Sequence, residues 1–422
     1  MISSRLEFLA RRLRERLWVK PLGYCLLAVL GALVAHSADF TGLAAYVPQV
    51  TTETVQRLLS IISSTMLAVA TFAVASMISA YASASSSATP RAFELVVADD
   101  MSQVALSIFI GAFIFSIVAT IALRTGYYGK SGRFILFLLT LLIFASVILT
   151  FVRWVDSIAR LGRMGTTIET VENAARAALQ RRRLSPTLGG RKATEAGPEG
   201  IPIHAGSIGY VQHIDMETLQ GITEALEASI TIGCLPGAFT SPGKPVAYLH
   251  GKGDKPEDEV CDQISRAFLI ADKRSFDEDP RFGLIVLSEI AARALSPAVN
   301  DPGTAIAIIG TIVRLFACWI APLSDEERPE IRFENIYVPE LSQEELFTDA
   351  FTSIARDGAG NVEVCVRLQK AFLGLTRLEN RRLAEIAREH SKTALARAGQ
   401  ALTLDADVEV VEAIADKVAQ KG

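Results

Sequence analysis

Residues 134–152 read FILFLLTLLIFASVILTFV, running from Phe134 to Val152 between Arg133 and Arg153 with no charged side chain inside. As a helix this stretch extends roughly 28 Å, close to the ~30 Å hydrocarbon core of a bilayer. An aqueous protein has no use for a helix that is apolar on every face, so the reading is a membrane span. Three further stretches N-terminal to it share this character: Leu22–Ala38, Leu58–Tyr81 and Val104–Leu123. The fold class expected is therefore an α-helical membrane protein with a four-helix transmembrane domain over residues 21–155.

Charge sorts the ends of this set. Residues 1–155 carry twelve Lys+Arg against seven Asp+Glu, so the rest of the chain holds thirty against thirty-nine. Residues 1–20 place Ile2, Leu6, Leu9, Leu13 and Leu17 on one stripe, with Arg5, Arg11, Arg12, Arg14 and Arg16 around it. They read as a basic amphipathic helix at the headgroup layer. Arg153, Arg160 and Arg163 follow the last span. An even number of spans leaves both ends on one side, and the positive-inside tendency makes that side the cytoplasm. The short Arg124–Arg133 hairpin opposes the rule and is outweighed. The expected location is a bacterial inner membrane, with the lipid bilayer as first partner. A basic membrane portion joined to an acidic remainder gives no support to nucleic-acid binding.

Residues 302–323, PGTAIAIIGTIVRLFACWIAPL, are nearly as apolar, with Arg314 as their only charge. A charge at mid-span costs at least about 3 kcal/mol. The stretch is read as a buried or membrane-facing helix of the cytoplasmic portion and not as a fifth span. That portion is expected to be α+β. Residues 156–205 form a helical extension and linker, with Arg181-Arg182-Arg183, Ser185-Pro186 and Gly189-Gly190 marking the break. Residues 206–255 form a small β-rich module, and 256–422 a mainly helical region.

Two places invite a functional reading. Ala75, Ser79, Ser83 and Ser87 recur every four residues, a spacing that lets helix backbones approach closely. The face bearing Ser76, Ser79, Ser83, Ser86 and Ser87 packs helices or lines a narrow polar pore. The second place spans Asp279-Pro280 through Ser296-Pro297 to Asn300-Asp301-Pro302. Here each aspartate is an N-cap acceptor before a proline at the first helical position, and Ser296-Pro297 ends the intervening helix. Capping accounts for most of this string. A ligand or ion at the helix start near Asn300 is the alternative.

The five cysteines and five histidines show neither paired nor metal-ligand spacing, so no metal or cofactor is expected. No catalytic constellation emerges, and an enzyme is not expected. Few spans per chain and a Ser/Ala-rich helix favour an oligomeric channel or pore made of several copies around an axis. The alternative is a membrane-anchored scaffold or sensor that binds a partner, ion or small ligand through its cytoplasmic domain.

The chain also resembles the bacterial family of predicted membrane proteins catalogued as domain of unknown function number 2254. The resemblance rests on Asp279-Pro280-Arg281-Phe282-Gly283 through Asn300-Asp301-Pro302, on Ser85-Ser86 with Pro90-Arg91, and on Gly209-Tyr210-Val211-Gln212 with Ile214-Asp215, Pro236-Gly237 and Gly243. The chain departs from the family's pattern at Ser87-Ala88-Thr89, where a glutamine and an aromatic are usual, and at Gly303, usually larger. The resemblance implies a membrane location and this order of domains. It implies no activity.

Overall fold

The computed structural model describes residues 19–40, 46–87, 89–97, 100–160, 163–193, 200–251, 257–324, 327 and 330–420; the side chains of residues 20, 83–87, 94, 96, 97, 100 and 160 lie outside that description. The basic stripe of residues 1–18 also lies outside it. The chain is mostly helical and divides into two compact units, Arg5–Thr167 and Ile168–Gly422.

The first unit holds α1 (Val19–Ser37) with a 3-10 turn (Ala38–Phe40), α2 (Thr52–Ser87), α3 (Pro90–Val97), α4 (Asp100–Arg124) and α5 (Lys130–Arg160). Helix α4 sits against α1, α2 and α5. Its buried residues Ala105, Phe109, Ala112, Phe115, Ala119 and Leu123 follow helical spacing. Helix α2 meets the bundle with Val55, Leu59, Ile62, Met66, Ala70, Ala73 and Met77. The opposite surface carries Phe72 at 62% exposure and Leu142 at 66%, an outer face suited to hydrocarbon and not to water. Ser107, Ser116 and Thr140 bond back to their own helices, as Ser107 Oγ does to the Gln103 carbonyl at 2.6 Å, which satisfies these hydroxyls without water. Asp39 links two helices: its carboxylate accepts the amides of Gly129 at 2.7 Å and Gly132 at 2.8 Å, capping α5 from across the bundle.

The second unit opens with α6 (Met164–Leu184), which begins just before the boundary. A five-stranded sheet runs in the order β1 (Gly190–Lys192), β8 (Phe333–Val338), β4 (Ser229–Ile232), β6 (Pro245–His250), β2 (Ile201–His204). Strand β8 is parallel to both β1 and β4, and the other pairs are antiparallel. A second sheet is β5 (Phe239–Thr240), β3 (Gly209–Ile214), β7 (Phe268–Ala271). Helix α7 (Met216–Ala225) starts where β3 ends, with Asp215 as its cap, and α8 (Asp258–Arg266) precedes β7. The remaining helices are α9 (Pro280–Ala294), α10 (Pro302–Ile320), α11 (Gln343–Asp357), α12 (Val362–Thr376), α13 (Arg381–Ala401) and α14 (Asp405–Ala419). Phe316, Phe347, Phe351 and Phe372 form their aromatic centre, with ring centroids 4.7–5.9 Å apart.

Two differences from the sequence reading stand out. The β-structure is not confined to residues 206–255: β1 and β2 come from the stretch expected as extension and linker, and β7 and β8 from the stretch expected to be mainly helical. In addition, among the described residues five helices are long and apolar enough to cross a membrane where the sequence reading counts four, because Pro302–Ile320 qualifies alongside Pro21–Phe40, Thr52–Ala82, Met101–Arg124 and Lys130–Ala159. This fifth helix, α10, lies within the second unit and buries Ala305, Ile308, Ile309, Ile312, Leu315 and Phe316. Its Arg314 forms a two-pronged bond to Glu172 of α6, with Nε–Oε1 at 2.9 Å and Nη2–Oε2 at 2.5 Å. Those bonds, with a further one from Arg176, hold the Glu172 carboxyl below the usual range.

Candidate functional site

The start of α9 is built around one carboxylate. Asp279 is 3% exposed. Its Oδ1 accepts the amides of Arg281 at 3.0 Å and Phe282 at 3.2 Å, while Oδ2 accepts Arg274 Nε at 2.6 Å. Pro280 occupies the first helical position, where its missing donor is no loss. Gly237, at φ +92°, comes so close that a Cβ there would overlap the Asp279 carboxylate. The Arg274 guanidinium lies 5.9 Å from the Tyr210 ring centre and 5.5 Å from that of Phe282. Arg281 turns the other way and pairs with Asp349 at 2.6 Å and with Glu345. The sequence strings at 209–215, 236–237 and 279–283 thus converge on one small volume.

The other half of the expected signature lies elsewhere. Ser296, Pro297, Asn300, Asp301 and Pro302 form the connection after α9, whose fifteen residues put about 22 Å of helix between them and Asp279. There Ser296 Oγ donates to the Arg293 carbonyl at 2.7 Å, and Asn300 takes the left-handed backbone at φ +49°. Asp301 caps α10, accepting the Thr304 amide at 3.1 Å and its hydroxyl at 2.6 Å, bonds that lower its pKa, the hydroxyl's foremost. Asp279 and Pro280 therefore share no site with the residues near Asn300. On α2, Ser79 is exposed and Ser76 half-buried. The side chains of Ser83, Ser86 and Ser87 lie outside the described residues.

Beside Asp279, within the second unit, is a cavity of about 300 Å³. Arg181, Arg182 and Ser185 at the end of α6 form one wall; His213 and Asp215, with Met216 and Glu217 opening α7, form another. Glu278, Arg332 and Phe333 complete it. His213 Nδ1 lies 2.6 Å from Glu278 Oε1. That bond raises the His213 pKa, with burial opposing it. Arg182 is 3% exposed. Its Nη2 reaches the Glu278 carbonyl at 3.4 Å, while its buried Nη1 has no hydrogen-bond partner among the described residues. Burial lowers its pKa, and Glu278 and Asp279 partly offset this.

Sequence reasoning missed this cavity because it took Arg181-Arg182-Arg183 for linker composition. The three arginines instead hold backbone carbonyls. Arg181 donates to Asp277, Arg182 to Glu278, and Arg183 to Cys318 and Ala321 at the end of α10, where cations suit the helix dipole. Three adjacent arginines just before a Gly/Pro break, in an otherwise acidic portion, were the available signal.

A family model described as Predicted membrane protein (DUF2254) matches residues 14–373. The chain belongs to that family. The DUF2254 match covers both units up to α12, including the whole cavity wall. Among curated proteins, uncharacterized proteins of Mycobacterium bovis and Mycobacterium tuberculosis are similar to this DUF2254 chain, each 30% identical over 114 residues, 26% of this chain. The match spans 22% of the length of those relatives. No solved structure matches the DUF2254 chain.

The His213–Glu278 pair carries a signed pH dependence. The folded pKa of His213 is raised, so the pair's stabilisation is full below the unfolded histidine value of about 6.5 and is lost as pH rises through the folded pKa. Thermal midpoints of the detergent-solubilised protein and of Glu278→Gln should differ most below the unfolded value of about 6.5 and draw together as pH rises through the folded pKa. A gap that widens with pH contradicts the assignment.

Proposed function

We propose that this protein is a membrane-anchored receptor, with four spans in the first unit and a cytoplasmic second unit that holds a small ligand in the cavity. The observation that carries the reading is the cavity of about 300 Å³ within the second unit, with the buried cation Arg182 on its wall. Concave sites of this size that join apolar surface to a few fixed polar groups are where small ligands bind. The four-span count is supported by α10, which packs its apolar face on the aromatic centre and pairs Arg314 with Glu172. The arginines before the first span and after the fourth favour a cytoplasmic placement for both ends. The role proposed is binding and not turnover.

The test uses the full chain in neutral detergent and a panel of cationic, neutral and anionic small metabolites, read as shifts in thermal midpoint. At saturation near 100 times Kd a ligand adds about 2.7 kcal/mol of stability. At least one compound should raise the midpoint of the wild type and not of Ser185→Trp, which fills the cavity from its half-exposed rim. A panel without any such shift contradicts the receptor reading.

A second reading, the shared pore of a homo-oligomer, is favoured by the exposed Ser79 and half-buried Ser76 on α2. It expects conductance from reconstituted protein that Ser79→Trp abolishes. A monomeric particle in detergent would sink it.

A further inference from the structure

We infer that the outer face of α14 is the docking surface for the chain's own N-terminal segment, residues 2–17, which lies antiparallel along it. The inference goes beyond the ligand cavity. It rests on the receptor reading only in placing both chain ends on one side of the bilayer, which reporter tags at those ends test separately.

Helix α14 packs on α12 and α13, burying Val411, Ala415 and Val418. Its outward surface carries two stripes. Asp405, Glu409, Glu412 and Asp416, at steps of four, three and four residues, form a line of exposed carboxylates. Beside it runs an exposed apolar line of Ala406, Val410 and Ala413, continued past the helix start by Leu404. Val410 is 52% exposed and Leu404 59%, more than a solvated helix needs to show.

Local chemistry explains only part of the acidic line. Asp405 suits the positive end of the helix, whereas Asp416 lies in the last turn, where a carboxylate is disfavoured. Asp405 and Glu409 stand four residues apart, as do Glu412 and Asp416, and like charges at that spacing repel. None of the four side chains forms an ion pair or hydrogen bond among the described residues. Lys417, the only cation of α14, stands on the apolar side of the helix. The acidic line therefore calls for cations from another segment.

The N-terminal segment has the complementary pattern. Residues 2–17 hold five Arg against two Glu, and α14 holds five carboxylates against one Lys. As a helix the segment sets its Ile2-to-Leu17 apolar stripe beside a stripe of Arg5, Arg12 and Arg16. Glu7 and Glu15 fall on its far side. The three arginines stand seven and four apart, the spacing of Asp416, Glu409 and Asp405 read backward. In both helices the apolar stripe lies about a quarter turn from the charged one, in the same rotational sense. Facing the apolar stripes in parallel would put the charges on opposite sides of the joint. Antiparallel, they fall on the same side: Arg5 comes level with Asp416, Arg12 with Glu409 and Arg16 with Asp405. Leu17 then meets the exposed Leu404, and the other leucines lie over Ala406, Val410 and Ala413, large side chains on small ones. Lys417 comes level with Ser4 and meets no arginine.

The experiment uses the full chain in nanodiscs of neutral lipid, with the photo-reactive residue benzoylphenylalanine in place of Val410. Irradiation should attach it to a peptide from residues 2–17, identified by mass spectrometry. Glu409→Arg and Arg12→Glu should each lower that yield about 3-fold or more, and the two together should restore it, since the reversed pair again attracts. Hydrogen exchange across α14, in chains that keep Val410, should follow the same order. It should be slow in the wild type and in the double variant, and faster in Arg12→Glu, a change some 400 positions from α14 in the chain. Attachment only to lipid or to another segment overturns the inference and leaves the cavity reading untouched. A yield and an exchange pattern indifferent to both reversals overturn it as well.

Discussion

Asp279→Ala is expected to cost about 4 kcal/mol of folding stability, enough to lower the thermal midpoint by roughly 8–16 °C for a unit of this size. The carboxylate is almost fully buried and accepts from Arg274 Nε and from the two leading amides of α9. Loss of the cap alone costs about 1 kcal/mol. The larger part comes from Arg274, whose side chain is only 16% exposed and would be left without its counter-charge. Removing one member of a buried pair typically costs about 3–5 kcal/mol. Asp279→Asn keeps an acceptor for the amides and should fall between wild type and alanine. Calorimetry or denaturant unfolding of the solubilised protein checks the order. A loss below about 1 kcal/mol for alanine would show that the cluster is not a structural clamp.

Gly283→Ala puts two effects of opposite sign against each other. In a helix interior alanine is favoured over glycine by about 1 kcal/mol. At Gly283, however, a Cβ would overlap Cβ and Cα of Ala175, so α9 and α6 touch through their backbones at this point. A backbone atom cannot turn aside as a side-chain tip can, and overpacking of this kind costs about 1–3 kcal/mol or more. The expected net result is destabilisation by about 2 kcal/mol, rising further for Gly283→Val. Ala175→Gly should recover much of the loss in a double-mutant cycle. A stabilised Gly283→Ala would mean that the contact between α6 and α9 is looser than the structure has it.

These two positions also show what the sequence allows one to read. Asp279-Pro280 and Asp301-Pro302 encode their caps within four residues, so local chemistry alone announces the starts of α9 and α10. The spans are equally plain, since Phe134–Val152 needs no distant partner to be understood. The sheet is harder. Strand β1 has three residues, and its neighbour β8 enters some 140 positions later, so neither carries a periodic signal long enough to see. The cavity is harder again. Arg182 acquires meaning only when the chain returns with Glu278, ninety-six residues on, and finds Glu278 already committed to His213. Arg314 makes the same point for topology: hydropathy averages over it, whereas its pairing with Glu172 depends on residues that lie 142 positions apart.

That pairing bears on the central proposal, that α10 packs within the second unit and does not cross the bilayer. Accessibility of single reporter tags at the two chain ends, in intact and in permeabilised cells, tests it most directly. The account predicts that both ends are shielded until the membrane is permeabilised. A C-terminal tag exposed on intact cells while the N-terminal tag stays shielded would make α10 a fifth span and contradict it.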